Sequence, residues 1–443
     1  MATSSSQMKR VAVASAVGTV IEFYDFTIFG IAAALVFNKL FFPALGGSAA
    51  TAVALATFGV AFVIRPFGAI LFGHFGDRFG RKNTLVATLL LMGIATVGIG
   101  LLPTAQDIGP WAAVLLVLLR CVQGLAMGGE WAGATVFTAE SAPKGRRGHY
   151  GMYPQLGPAL GFLLSSATFL LTSLTMSDAD FLSWGWRVPF LASAVLIVVG
   201  FVARMALEEP QEFKSNVLEM PKQTVRKLPV AELFREQTRE VALATGATIA
   251  VFGLFYFVIV YLASYATQTL KFARTDVLLI GMAGAVSLAI TTVVGAMWSD
   301  RVGRRKVLAI GNGLCFVATL LLFPLLGVGG TAVFLLGVVV LQAGIGLAYG
   351  PLGAYLPELF SARYRYTGAG LAYNLGTVLG GALTPIIASQ LIERYGPYSV
   401  GLYTAALCAI SLCALALSKE TLPNARSQTA VNRAPGTSAS SSL

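Results

Sequence analysis

GHFGDRFGRK (73–82) and MWSDRVGRRK (297–306) are two versions of one segment: both read Asp-Arg-x-Gly-Arg-(Lys/Arg), and both follow a long apolar run. The repetition extends beyond the segment. Glu140 follows the fourth apolar run with Arg147 seven residues later, and Glu358 follows the tenth with Arg365 again seven later. The copies lie 223 residues apart at Asp77 and Asp300, and 218 apart at Glu140 and Glu358. A longer polar stretch, 207–240, divides twelve apolar runs into six and six. Two related six-helix bundles suit a membrane protein that rocks about a central site.

Composition points the same way. Of 443 residues, 56% are hydrophobic and only 12% charged, about half the charged share of an ordinary soluble protein. So few charges would not cover the surface of a soluble domain this large. Four cysteines in so long a chain exclude a disulfide scaffold. The apolar runs are 12–37, 51–73, 84–102, 111–138, 150–172, 187–206, 241–267, 277–298, 307–325, 331–356, 367–390 and 398–417. Each of about 20 residues spans about 30 Å as a helix, whereas a barrel would need alternating segments of about ten. The sequence thus predicts an all-α membrane protein: an N-terminus (1–10), a six-helix bundle (11–206), a linker (207–240), a second bundle (241–418) and a disordered tail (419–443). Lys9 and Arg10 precede a long first span without a small-residue cleavage site, so no cleavable signal is expected.

Twelve spans put both ends on one side. That side carries 24 of the 31 Lys and Arg residues, against 4 on the other. The bias predicts both termini in the cytoplasm. It also accounts for the net charge of +11, which faces an anionic inner leaflet. No nucleic-acid partner is expected, since no aromatic-basic module accompanies the charge.

The duplicated segment has chemistry beyond topology. Gly80 allows a tight turn. Arg81 and Arg304 can make forked hydrogen bonds to carboxylates, and Glu140 and Glu358 share their membrane face. Simple positive-inside topology would need only Lys and Arg. Repeated acids at matched spacing instead predict a cytoplasmic gate of Asp77, Arg78, Arg81, Glu140 and Arg147, mirrored by Asp300, Arg301, Arg304, Glu358 and Arg365. Its ion pairs would hold in one state and break in the other.

The duplicated motif resembles the loop signature of the major facilitator superfamily, and Arg120-x-x-Gln123-Gly124 resembles its fourth-helix motif. Longer strings resemble the metabolite–proton symporters within it: GTVIEFYDF (18–26), TFGVAFVIRPFGAILFGHFGDRFGRK (57–82), RCVQGLAMGGEWAGA (120–134), SWGWRVPFL (183–191) and LPELFSARYRYTGAG (356–370). The likeness runs from about residue 10 to 418. The first half is most similar to bacterial shikimate transporters, and the second departs more in spans seven and ten. The resemblance implies the major facilitator fold, proton-coupled symport, and an acidic helix-one residue facing Arg120.

Charges inside spans are costly and therefore functional candidates. Five are expected: Glu22, Asp25, Arg65, Arg120 and Glu130. At about 1.5 Å per residue, Asp25 lies about 19 Å and Arg120 about 14 Å from opposite faces, which predicts a mid-membrane pair. Arg65 and Glu130 would pair nearer the cytoplasm, in either a packing or a transport role. Three acids against two arginines leave one negative charge. A proton on Asp25 or Glu22 would then release Arg120 toward a substrate carboxylate; a static pair is the alternative. Further pocket candidates are Gln123 and Met127 on the Arg120 face, Tyr153 and Gln155, Tyr256, Gln342 and Tyr349, and Tyr373 and Asn374. Polar side chains of this kind also simply bond neighbouring helices. Proline–glycine clusters at 154–161 and 348–357 are candidate bends.

No phosphate loop, nucleophile–base pair or metal-ligand spacing is present, so an ATP-driven pump, an enzyme and a resident cofactor or metal are not expected. The expected partners are protons, a small organic solute and the bilayer, with the chain a monomer in a bacterial inner membrane. The leading reading is a proton-coupled symporter of a small organic acid, shikimate-like or another monocarboxylate. Alternatives are a proton-coupled exporter, a symporter of a zwitterionic osmolyte, an uncoupled facilitator, and a sensor, which would usually carry a soluble output domain.

Overall fold

Apolar runs of this length, with most of their charge at the ends, form helices because a helix satisfies its own backbone in hydrocarbon. The computed structural model of the chain describes residues 5–143, 145–208, 229–326 and 330–422. Among them twelve helices are long and apolar enough to cross a membrane: α1 (Gln7–Ala32), α2 (Ala56–Phe79), α3 (Arg81–Leu101), α4 (Trp111–Ser141), α5 (Arg147–Thr172), α6 (Gly185–Met205), α7 (Thr238–Thr267), α8 (Asp276–Val302), α9 (Arg304–Leu326), α10 (Thr331–Leu359), α11 (Arg365–Tyr395) and α12 (Pro397–Leu417). No described residue lies in a strand. Large apolar side chains such as Ile94 (69% exposed), Val195 (67%) and Leu171 (63%) point outward, as a lipid-facing surface requires.

Helices α1–α6 and α7–α12 form two bundles with matching internal contacts. In the first, α2 and α4 meet backbone to backbone: a Cβ on Gly128 would lie 2.1 Å from the Arg65 carbonyl oxygen. In the second, α8 and α10 do the same, a Cβ on Gly350 falling 2.2 Å from the Thr292 carbonyl oxygen. The motif glycines turn the chain between α2 and α3 and between α8 and α9. Gly80 has φ 122° and Gly303 φ 107°, both in the region that excludes a side chain. The face on which α1 begins and α12 ends is called the termini face below.

Helix irregularities are also paired between halves. The first helix of each half carries a wider, π-type turn, at Ala33–Phe37 just beyond α1 and at Phe257–Leu262 within α7. The fifth helices are interrupted too, α5 at Leu156 between Pro154 and Pro158, and α11 by a π-type stretch at Thr377–Ala382. Such turns free backbone groups and gather at functional sites. The cluster at 154–161 therefore does break its helix. The one at 348–357 does not: Pro351 and Pro357 lie inside an unbroken α10.

The linker contributes one short described helix, Pro229–Glu236. It is tied to the segment between α10 and α11 by Arg363–Glu232 (2.9 Å) and by a hydrogen bond from the Tyr364 hydroxyl to Glu236. At the opposite face, Thr104 caps the short helix Ala105–Ile108 through Asp107. Donation from the Thr104 hydroxyl and backbone N–H (both 2.8 Å) holds that exposed carboxyl below its ordinary pKa. The rest of the linker, 209–228, and most of the tail, 423–443, lie outside the described residues, as does the disorder expected there.

Candidate functional site

The duplicated motif builds two matching charge clusters at the termini face. Arg81 donates from Nη1 to Asp77 (2.6 Å) and from Nη2 and Nε to the two Glu140 oxygens (3.3 and 3.4 Å). Arg304 repeats this with Asp300 (2.7 Å) and Glu358 (3.3 and 3.4 Å). These acids do not sit in loops as the hydropathy pattern predicts. Asp77, Glu140, Asp300 and Glu358 occupy the last turns of α2, α4, α8 and α10, because charge ends an apolar run before it ends a helix.

Each aspartate also reaches the other half. Asp77 accepts from the backbone N–H groups of Tyr366 (3.1 Å) and Thr367 (2.9 Å) and from the Thr367 hydroxyl (2.7 Å), at the start of α11. Asp300 accepts from Gly148 (2.8 Å) and His149 (2.7 Å), at the start of α5. A carboxylate at a helix N-terminus satisfies its free N–H groups and its dipole. Arg365 adds a bond across the halves to Glu140 (3.2 Å). Gln155 donates to the Tyr349 carbonyl (2.7 Å) and Asn374 to that of Gly128 (3.0 Å), closer to the centre. Together these bonds latch the halves on the termini face. Arg78 and Arg301 are exposed instead, Arg78 lying over the Phe79 ring at 5.5 Å. Arg147 is half-buried at the start of α5.

The buried charges at the centre pair differently from the expectation. Asp25 does not meet Arg120. Its oxygens accept from Ser193 of α6 (2.6 Å) and Thr96 of α3 (2.7 Å). Thr96 in turn accepts from Gln123 (2.7 Å), and Gln123 accepts from Arg120 (3.1 Å). Two uncharged side chains thus separate acid from base. Rings of Phe29, Phe26 and Phe58 surround the Arg120 guanidinium at 4.0, 5.0 and 5.2 Å, which holds a weakly hydrated cation where a carboxylate would otherwise sit.

Nor does Arg65 pair with Glu130. Glu130 forms a tight forked pair with Arg204 of α6 and accepts from Thr88 (2.8 Å), whereas Arg65 faces Glu22 at 3.7 Å. Arg204 is 1% exposed, so the buried set is three acids and three arginines, one guanidinium for each carboxyl group. It was missed because it ends span six, where an arginine reads as a positive-inside flank. Breaking the pair is expected to cost about 3–5 kcal/mol. Arg204→Ala should therefore lower the melting temperature in detergent sharply, while the paired apolar replacement Arg204→Leu with Glu130→Met should recover much of it.

Between the halves lies a cavity with room for about one water, lined by Phe23 and Arg65 from the first half and by Phe252, Tyr256, Tyr349 and Tyr373 from the second. Tyr349 and Tyr373 hydroxyls are 3.0 Å apart, and Tyr373 stacks on Trp131 at 3.7 Å. The family model described as Major Facilitator Superfamily matches residues 15–383 and 243–440. The chain belongs to that superfamily.

Full-length relatives agree. The chain is 44% identical over 424 residues to the inner membrane metabolite transport protein YhjE of Escherichia coli K12, covering 95% of this chain and 96% of that one. It is 37% identical over 406 residues to the shikimate transporter of the same strain, covering 90% and 92%. Among solved structures, the proton:xylose symporter XylE superposes with a TM-score of 0.77 at 17% identity, covering 94% of this chain and 97% of that one, which shows the shared fold. This major facilitator protein is a multi-pass membrane transporter of metabolites, not an enzyme.

Of the pocket candidates, Tyr256, Tyr349 and Tyr373 line the transporter's cavity, and Met127 touches Arg65 through sulfur at 3.5 Å. Gln123 serves the Asp25 chain, and Gln155 and Asn374 join the halves. Tyr153 is half-buried beside His149 (6.5 Å between rings), and Gln342 is buried with its carbonyl oxygen unpartnered. Neither lines the cavity. Thr96, Ser193 and Phe252 were missed because a threonine, serine or phenylalanine within an apolar run carries no signal of its partner. Among the described residues no three His, Cys, Asp or Glu side chains gather as a metal site.

Proposed function

We propose that this transporter is a proton-coupled symporter, carrying a small organic acid by alternating access across a bacterial inner membrane, with the termini face cytoplasmic. The observation that supports coupling best is Asp25: 1% exposed, bonded to two hydroxyls, and separated from Arg120 by Thr96 and Gln123. Hydroxyls donate to a carboxylate and accept from a carboxylic acid, so this pocket serves both protonation states. Glu22, one turn earlier on α1, has one buried oxygen without a partner and is the second candidate. The paired clusters of Asp77, Arg81 and Glu140 and of Asp300, Arg304 and Glu358 act as the gate. In the conformation described they bolt the termini face shut.

The organic-acid reading draws support from the cavity, which offers one guanidinium and aromatic walls, and from the relative named as a shikimate transporter. Purified protein in proteoliposomes, with an imposed pH gradient, tests it. Shikimate, lactate, succinate and glycine betaine are offered as tracers. Accumulation of a monocarboxylate with the proton gradient is the expected result. Gradient-independent equilibration of the same acid would reduce the reading to a facilitator, and movement against the proton influx would make it an exporter.

A further inference from the structure

Resting on the organic-acid reading, the geometry points to Arg65 of α2, rather than Arg120, as the group that receives the substrate carboxylate, and to a monocarboxylate as the ligand class. Only Arg65 of the two lines the cavity. Its side chain is 2% exposed; its Nε has no partner, its Nη2 lies 3.5 Å from the Met127 sulfur and 3.7 Å from Glu22, and Tyr256 of the facing cavity wall is a further polar neighbour. A guanidinium carries five donors, and a buried one that leaves them loosely held is poised for a forked acceptor. Glu22 stands beyond hydrogen-bond distance, so no hydrogen bond is lost when an incoming carboxylate takes the guanidinium, and a proton on Glu22 would remove the competing charge. Phe26 and Phe62 hold the guanidinium plane at 4.8 and 5.6 Å, fixing its direction.

Arg120 is occupied. It donates to Gln123 and to the Phe58 carbonyl, and three rings close over it. Across the cavity from Arg65 the walls are Phe252, Tyr256, Tyr349 and Tyr373. They supply ring faces and hydroxyls but no second cation. The site therefore favours one carboxylate on a compact, largely uncharged body and disfavours dicarboxylates.

Counterflow exchange tests this without requiring net proton movement. The tracer is whichever acid of shikimate, lactate, succinate and glycine betaine the wild type transports. Competition is measured with that unlabelled acid and with its uncharged methyl ester. The wild type should prefer the acid by about 10- to 100-fold. Arg65→Gln should shrink the preference to within about threefold, and Arg65→Lys, which keeps charge without the fork, should leave an intermediate value. Arg120→Gln should keep the wild-type ratio even where its rate falls. A purely structural Arg65 would weaken acid and ester alike, leaving the ratio unchanged in Arg65→Gln and Arg65→Lys; that result overturns the assignment. So does collapse of the ratio in Arg120→Gln alone, or succinate as the preferred tracer. If Arg65→Gln does not assemble, the Arg65→Lys ratio decides. A wild type that exchanges none of the tracers removes the organic-acid reading and this assignment together. One that exchanges an acid without proton dependence removes only the coupling.

Discussion

Asp25→Asn is expected to abolish uphill uptake while preserving exchange. The carboxylate sits among Ser193, Thr96 and, through Gln123, Arg120, with no arginine of the described residues within ion-pair distance. An unpaired buried carboxylate is costly, which is the reason the proposed cycle protonates it at one stage. Asparagine has the same shape and can bond both hydroxyls, but it cannot release a proton. Accumulation under a pH gradient should fall at least about tenfold, to the equilibrium distribution, while counterflow stays within about threefold of wild type. Thr96→Val should act in the same direction, because it cuts the chain that links Asp25 to Arg120. Gradient-driven accumulation at the wild-type level in Asp25→Asn would transfer the coupling role to another acid, Glu22 first.

Arg81→Glu is the second large effect. It places a third carboxylate between Asp77 and Glu140, whose side chains are 0% and 1% exposed. Removing one partner of a buried pair costs about 3–5 kcal/mol, and reversing it costs more. That loss falls on the state closed at the termini face. A shift of about 5.5 kcal/mol would carry a two-state equilibrium from 1:99 to 99:1. The variant should therefore expose the interface beside Gly148 and His149. In a background lacking Cys121, Cys315, Cys408 and Cys413, His149→Cys should react with an impermeant maleimide at least about tenfold faster when Arg81→Glu is added, and uptake should collapse. Unchanged labelling with normal uptake would reduce the clusters to topology signals.

These cases show what the chain discloses before it folds. The twelve helices were legible because apolar runs of this length have one solution in a bilayer, and the two bundles because Asp77 and Asp300 announce the repeat. The partners within each cluster, Arg81 with Glu140 and Arg304 with Glu358, followed from a shared membrane face. What the spacing did not reveal was that both aspartates reach the opposite half, since a backbone N–H at the start of α5 or α11 leaves no mark in composition. Depth, together with the family resemblance, paired Asp25 with Arg120. It failed because several side chains share a depth, and the choice among them depends on rotation about the helix axis and on uncharged neighbours such as Thr96. Arg204 shows the converse: its charge was visible, but its burial was set by Glu130. Glu420 and Thr421, which bond the Arg304 backbone (2.8 Å) and Glu358 (2.6 Å), lay in what read as tail.

On the proposed mechanism, substrate and proton move together through this molecule. Their co-movement is tested most directly by trapping a pH-sensitive dye inside proteoliposomes, with no imposed gradient, and adding the transported acid outside. Symport predicts acidification of the lumen that follows substrate entry, scales with its initial rate, and disappears in Asp25→Asn. Substrate entry with no change in lumenal pH, or with alkalinisation, would contradict it.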